Sequence, residues 1–133
     1  MNPKVLVVNA IKKETDGIGD ILLPAGYTPW IIENIEGVEP ALSAGDCMAV
    51  LLDLDSLEVS NRTVRQMTLK FPQVCFLCTS WKPFHPELQD AICYHIYACV
   101  QKPVDPDELL YWLKCIYQDQ TITPKDVGQL ELE

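Results

Sequence analysis

Apolar residues in this chain fall in short unbroken runs set between polar, proline-containing stretches, and every run is strand-sized. Residues 4–8 (KVLVV) read as a first buried strand that ends at Asn9-Ala10. Residues 27–33 read as a second, and Pro29 near its start suits a sheet edge, because proline cannot donate to a ladder. The third run, 47–53, holds Ala49-Val50-Leu51-Leu52 without a polar residue, the pattern of a strand covered on both faces in a parallel sheet. Residues 74–78 form a fourth run. A short fifth, 98–100, ends at Gln101-Lys102-Pro103.

Helical spacing occupies the intervals. Over 11–25, Ile18, Ile21 and Leu22 give an apolar stripe, but Gly17 and Gly19 weaken it and Pro24 limits it, which predicts a short or irregular helix. A short helix over 38–44 closes at Gly45. Residues 61–71 place Val64, Met67 and Phe71 on one face and Arg62, Arg65 and Lys70 on the other, and Pro72 ends the helix. Pro86 opens a helix that runs to about Tyr97. The last helix has an Asp105 cap, Pro106 at its first position, Asp107 and Glu108 near the positive end of its dipole, and Leu109, Leu110, Leu113 and Ile116 as its stripe. Strands alternating with helices predict an α/β three-layer sandwich around a five-stranded parallel sheet. One domain spans 1–120, and the polar 121–133 is a C-terminal tail or linker stub.

The chain has 133 residues, enough for one core and too few for two. Nineteen acidic against ten basic residues give a net charge of -9, so free nucleic acid is repelled and direct binding of it by this domain is not expected. No basic stretch precedes an apolar one at the N-terminus, and no apolar run approaches a membrane span, so the chain reads as soluble and cytoplasmic, with no membrane partner. The six cysteines, Cys47, Cys75, Cys78, Cys93, Cys99 and Cys115, lie mostly inside predicted elements and read as small core hydrophobes. Cys75 and Cys78 are three apart in a strand, face opposite sides and cannot grip one ion. His85 and His95 read as surface or locally hydrogen-bonded residues. Neither a G-x-G-x-x-G nor a P-loop occurs, so a nucleotide site has no support.

Parallel α/β folds carry their chemistry beyond the carboxyl ends of the strands. Those ends deliver Asn9, then Asp53 with Asp55, then Thr79 with Ser80, then Lys102 with Pro103. A carboxylate, a hydroxyl and an ammonium on one sheet edge suit an aspartate that accepts a phosphoryl group. The carboxylate is the nucleophile, and the other two hold the added oxygens. The missing component of such chemistry is Mg²⁺, which takes hard oxygen ligands. Asp53, at the junction of buried strand and solvent, is expected to be reachable. The plainer alternative for it is a solvated strand-end carboxylate or a helix cap.

Taken in order, KVLVV, the Leu51-Leu52-Asp53 triplet, Thr79-Ser80 and Lys102-Pro103 followed by DPDELL resemble the receiver domain of two-component response regulators over roughly residues 4–118. The resemblance implies a flavodoxin-like strand order 2-1-3-4-5. It implies a phosphoacceptor at Asp53, a hydroxyl switch at Thr79 and a phosphoryl-binding lysine at Lys102, with Ser80 and Pro103 secondary. Mg²⁺ would be held by Asp53, the backbone carbonyl of Asp55 and, through water, Asn9. The implied partner is a histidine kinase or phosphotransfer protein in a phosphorelay, with a homodimer also compatible. Any catalysis would be at most self-phosphorylation and autodephosphorylation at Asp53. The implied contact face carries Trp81, Phe84, Tyr94, Tyr97 and Cys99, although core packing is the default for these aromatics and for Trp112.

The departures from the family pattern are specific. Asn9 and Ala10 stand where paired acids usually close the first strand, Cys99 stands where an aromatic switch residue is usual, and Asp55-Ser-Leu-Glu-Val replaces the usual segment after the phosphoacceptor. Metal binding should be weakened, so this is an atypical receiver pattern. Two classes of function follow: a phosphorylation-controlled receiver, or a degenerate receiver kept as a docking or dimerisation module.

Overall fold

The computed structural model describes residues 3–83 and 85–121. Each apolar run is a strand: β1 (Lys4–Val8), β2 (Thr28–Ile32), β3 (Cys47–Asp53), β4 (Cys75–Ser80) and β5 (Ala98–Gln101). All neighbours pair in parallel in the order β2-β1-β3-β4-β5, the flavodoxin-like arrangement. Pro29 lies on β2, which is an edge strand, where its missing N–H breaks no ladder. Helices α1 (Lys12–Leu22), α2 (Val38–Ser43), α3 (Asn61–Lys70), α4 (Gln89–Tyr94) and α5 (Pro106–Thr121) complete the alternation.

Alternate residues of the central strands feed two cores. Val5, Val7, Ala49, Leu51 and Leu77 pack with Ile18 and Leu22 of α1 and Leu109, Leu113 and Ile116 of α5. Leu6, Val8, Val50, Leu52, Phe76 and Cys78 face the other way, toward Val38 and Leu42 of α2, Val64 and Met67 of α3, and Ala91 of α4. This explains why β3 has no polar alternation. Both of its faces are covered, and each fully buried aliphatic side chain contributes about 1.5–3 kcal/mol.

Three departures from the sequence expectation go beyond a shift of one residue at an element's end. First, α1 is a regular helix of 11 residues, neither short nor irregular. Gly17 and Gly19 cost roughly 1 kcal/mol each against alanine, and the buried Ile18–Leu22 pair, one turn apart, offsets this. Second, the helix expected over 86–97 is a 3-10 turn, Pro86–Leu88, followed by the short α4. His95 and Ile96 both donate to the Ala91 carbonyl, and the Tyr97 N–H goes to the Phe76 carbonyl at 2.7 Å, so the chain leaves the helix early to join the sheet. Third, β4 extends past Cys78 through Thr79 and Ser80 because both find partners on its flanks: Thr79 pairs with Asp53 and Val100, Ser80 with Gln101. At the chain's end α5 reaches Thr121, and the tail expected beyond it lies outside the described residues.

Candidate functional site

The sheet register itself brings the first two functional groups together. Asp53, the last residue of β3, is the ladder partner of Thr79, and the Thr79 hydroxyl donates to Asp53 Oδ1 at 2.9 Å. The Lys102 N–H donates to the Ser80 carbonyl at 2.8 Å, which anchors the residue after β5 against the end of β4. From there its ammonium reaches three carboxylates: Asp53 Oδ1 at 2.6 Å, Glu14 Oε1 at 2.7 Å and Asp55 Oδ2 at 2.9 Å. Burial works against the lysine's charge, but its hydrogen bonds to Asp53, Glu14 and Asp55 outweigh it and hold the ammonium's pKa above the usual lysine range.

Around this centre the remaining polar atoms are paired. The Ser56 N–H donates to Asp53 Oδ2 at 3.0 Å, and the Ser56 hydroxyl accepts from the Ala10 N–H and lies 3.3 Å from Asn9 Oδ1. Asn9 Oδ1 also accepts from the Ile11 N–H at 2.8 Å, while its Nδ2 donates to Glu14 Oε1. Asp55 receives the Ser80 hydroxyl on Oδ1 and the Trp81 N–H on Oδ2, both at 2.9 Å. Burial alone would raise the Asp55 pKa; hydrogen bonds from Lys102, Trp81 and Ser80 reverse this and hold it below the ordinary carboxylate range. Ser80 extends the network to His85, whose Nε2 lies 2.8 Å from the hydroxyl oxygen. Because Asp55 accepts the only hydroxyl proton of Ser80, His85 Nε2 is the donor in that pair.

Solved structures share this architecture. The signal receiver domain of an HD domain-containing protein from Pseudomonas fluorescens superposes with a TM-score of 0.80 at 19% identity, over 90% of this chain and 98% of that one. A CheY-like response regulator receiver domain protein from Methanospirillum hungatei gives 0.79 at 16% identity, over 90% and 97%. A two-component response regulator from Clostridium difficile gives 0.79 at 12% identity, over 91% and 100%. The chain has the receiver fold. No family model and no curated protein matches the sequence.

On this receiver fold, the residues expected from sequence meet at one point: Asn9, Asp53, Asp55, Thr79, Ser80 and Lys102 all belong to the network. Pro103 follows Lys102 through a cis peptide bond and is exposed. Asp53 departs from expectation in one respect. It is 1% exposed, not reachable at the strand end, because Lys102 and Ser56 close over it. Glu14, Ser56 and His85 were not anticipated as site residues. Glu14 is 88 positions from the lysine it pairs with, and its one sequence signal is that it is the first acid after β1.

The donor set does not fit Mg²⁺. Ala10 offers no side-chain oxygen, Asn9 Oδ1 already serves the Ile11 N–H and Ser56, and the three carboxylates converge on an ammonium that occupies the centre. Asp55 takes part through its carboxylate, which points at Lys102. Among the described residues no group of three or more His, Cys, Asp or Glu is arranged to hold a metal ion.

The expected contact face is present in part. Trp81, Tyr94 and Tyr97 are 56%, 79% and 38% exposed, so packing inside the core is not their role. Cys99 is exposed as well, and Phe84 lies outside the described residues. Trp112 is half-buried and packs edge-on against Tyr97 with ring centres 6.0 Å apart. No helix among the described residues is long and apolar enough to cross a membrane.

Proposed function

We propose that this chain is a degenerate receiver that works as a protein docking module in two-component-type signalling, with Asp53 held in a closed ion cluster and not phosphorylated. The observation that carries this reading is the state of the Asp53 carboxylate. It is 1% exposed, Oδ1 is shared by Thr79 and Lys102, and Oδ2 is taken by the Ser56 N–H. Attack on a phosphoryl donor needs a free carboxylate oxygen and a cation to offset the incoming negative charge. Here one ammonium is already shared among three carboxylates. The exposed rings of Tyr94 and Tyr97, which border one groove with Thr68, Leu69 and His95, supply the docking contact, with Trp81 exposed separately beside Lys102, since aromatic residues at the surface are enriched in contact surfaces. Its partners are a histidine kinase, a phosphotransfer protein or a second copy of the chain.

A second reading is favoured by one observation: Thr79 and Lys102 both touch Asp53 Oδ1, the hydroxyl and ammonium that would hold an added phosphoryl group. Intact mass after incubation with Mg²⁺ and acetyl phosphate separates the two, run beside the Asp53→Asn protein. The docking reading expects no adduct on either. A gain of about 80 Da on the wild type alone overturns it and establishes the phosphoacceptor.

A further inference from the structure

Cys78 on β4 and Cys99 on β5 are direct partners in the parallel ladder. Their side chains therefore leave the sheet on the same face, where Cys78 joins the core under α3 and α4. Adjacent strands run about 4.8 Å apart, inside the roughly 4.4–6.8 Å Cα separation that a disulfide spans. The two thiols lie close enough to shift each other's ionisation. Cys78 is 1% exposed and Cys99 is exposed, and both line a pocket of about 380 Å³ together with Ser80, His85, Gln89 and Ile92. In the sheet register of the described residues no other two cysteines face each other: Cys75 pairs with Ala49, and Cys47 with Lys4. Since β5 is an edge strand bound only to β4, it can yield by the small approach that a covalent link requires.

We infer that Cys78 and Cys99 form a thiol–disulfide exchange site, with exposed Cys99 as the attacking thiol and buried Cys78 as the resolving one, toward a low-molecular-weight disulfide of the glutathione type. The Cys99 thiolate attacks one sulfur of the disulfide RSSR. The S–S bond breaks, and RS⁻ leaves with the electron pair and takes up the proton that Cys99 gave up. Cys78 then attacks the Cys99 sulfur of the mixed disulfide, the second RS⁻ leaves, and it takes the Cys78 proton. Two protein thiols are oxidised to one disulfide, and one RSSR is reduced to two RSH. The local chemistry runs in the direction this needs. The neighbouring Cys78 thiol lowers the Cys99 pKa, while the Cys99 thiol and burial raise the Cys78 pKa, so the accessible sulfur ionises first.

The test uses the reduced full chain and oxidised glutathione at neutral pH, quenched with acid, alkylated and mapped as unreduced peptides by mass spectrometry. In the wild type the dominant product is a peptide pair linking 78 to 99, with the protein about 2 Da lighter. In Cys78→Ser the glutathione adduct on Cys99 has no resolving thiol and accumulates about tenfold over the wild type. In Cys99→Ser, modification of Cys78 falls by about tenfold. Oxidation scattered over Cys47, Cys75, Cys93 and Cys115 with no 78–99 link overturns the assignment. So does an adduct on Cys99 that is no higher in Cys78→Ser than in the wild type. The wild-type map needs no variant, so it decides the matter even where a substitution impairs folding.

Discussion

Replacing Lys102 by methionine removes the cation that, among the described residues, the Asp53, Glu14 and Asp55 carboxylates share, and keeps most of the side chain's volume. At an effective dielectric of about 20, each contact at 2.6–2.9 Å is worth roughly 6 kcal/mol of gross attraction, most of it offset by the desolvation of the ions. The measurable quantity is the cost of leaving buried charge uncompensated, about 3–5 kcal/mol when one partner of a buried pair is deleted. The Glu14 and Asp55 side chains are 24% and 18% exposed and can turn toward water, whereas Asp53 cannot. That places the expected loss at the lower end, about 3 kcal/mol at pH 7. With an m-value of about 2 kcal/mol per M, the urea midpoint falls by about 1.5 M. Adding Asp53→Asn removes the stranded charge and should recover at least about 1 kcal/mol over Lys102→Met alone. A loss below about 1 kcal/mol for Lys102→Met, or a double variant as unstable as the sum of the singles, would refute the ion cluster as the organising feature of the site.

Two glycines should respond in opposite directions to alanine. Gly17 is an exposed interior residue of α1 with open space around its Cβ position, so Gly17→Ala should stabilise by about 0.5–1 kcal/mol. Gly45 has φ +91 just after α2, so Gly45→Ala should destabilise by about 1 kcal/mol; thermal melts showing equal effects at the two sites would contradict both assignments. In acid, Asp55 should contribute an identifiable limb. Its folded pKa is depressed, so it stabilises the fold above the ordinary carboxylate value of about 3.9, and this is lost as pH falls through the folded value. Urea midpoints measured from pH 6 to 2 should drop less steeply below about pH 4 in Asp55→Asn than in the wild type, and identical slopes would exclude the effect.

The strands were readable because burial on both faces leaves an unmistakable run: the bounds of β1 and β3 agree with the sequence pattern residue for residue. Helices were readable only where burial and capping agree. In α3, Ser60 accepts from the Thr63 N–H, and Val64 and Met67 are buried, so local and tertiary signals coincide. In α1 the glycines argue against a helix, and docking of Ile18 and Leu22 wins, an outcome that single-element spacing does not contain. The end of α4 depends on the Phe76 carbonyl, some twenty residues upstream, which claims the Tyr97 N–H. The same limit governs the site. Asp53, Thr79 and Lys102 sit at strand exits and follow from topology, whereas Glu14 enters through a contact 88 positions away and His85 through a loop that turns it back onto Ser80, five residues earlier. The cysteines show it most sharply. Cys75 and Cys78, close in sequence, point into opposite cores, while Cys78 and Cys99 are brought side by side by the register of β4 and β5.

The ion cluster is tied directly to the exposed Trp81. Asp55 Oδ2 holds both the Lys102 ammonium and the Trp81 N–H, and the Trp81 ring lies 6.0 Å from that ammonium. On its other oxygen, Asp55 takes the Ser80 hydroxyl, and Ser80 holds His85 at the entrance to the 3-10 turn that leads into α4 and Tyr94. Where the family pattern has paired acids at the end of β1, this chain has Asn9 and Ala10, and its first acid stands on the opening turn of α1. From there Glu14 grips the lysine, and Asn9 braces Glu14. This carboxylate supports the Lys102 ammonium at the centre of the network. Under the docking reading proposed above, the bonds from Asp55 and Ser80 hold Trp81 and the entrance to α4 in place without a phosphoryl group.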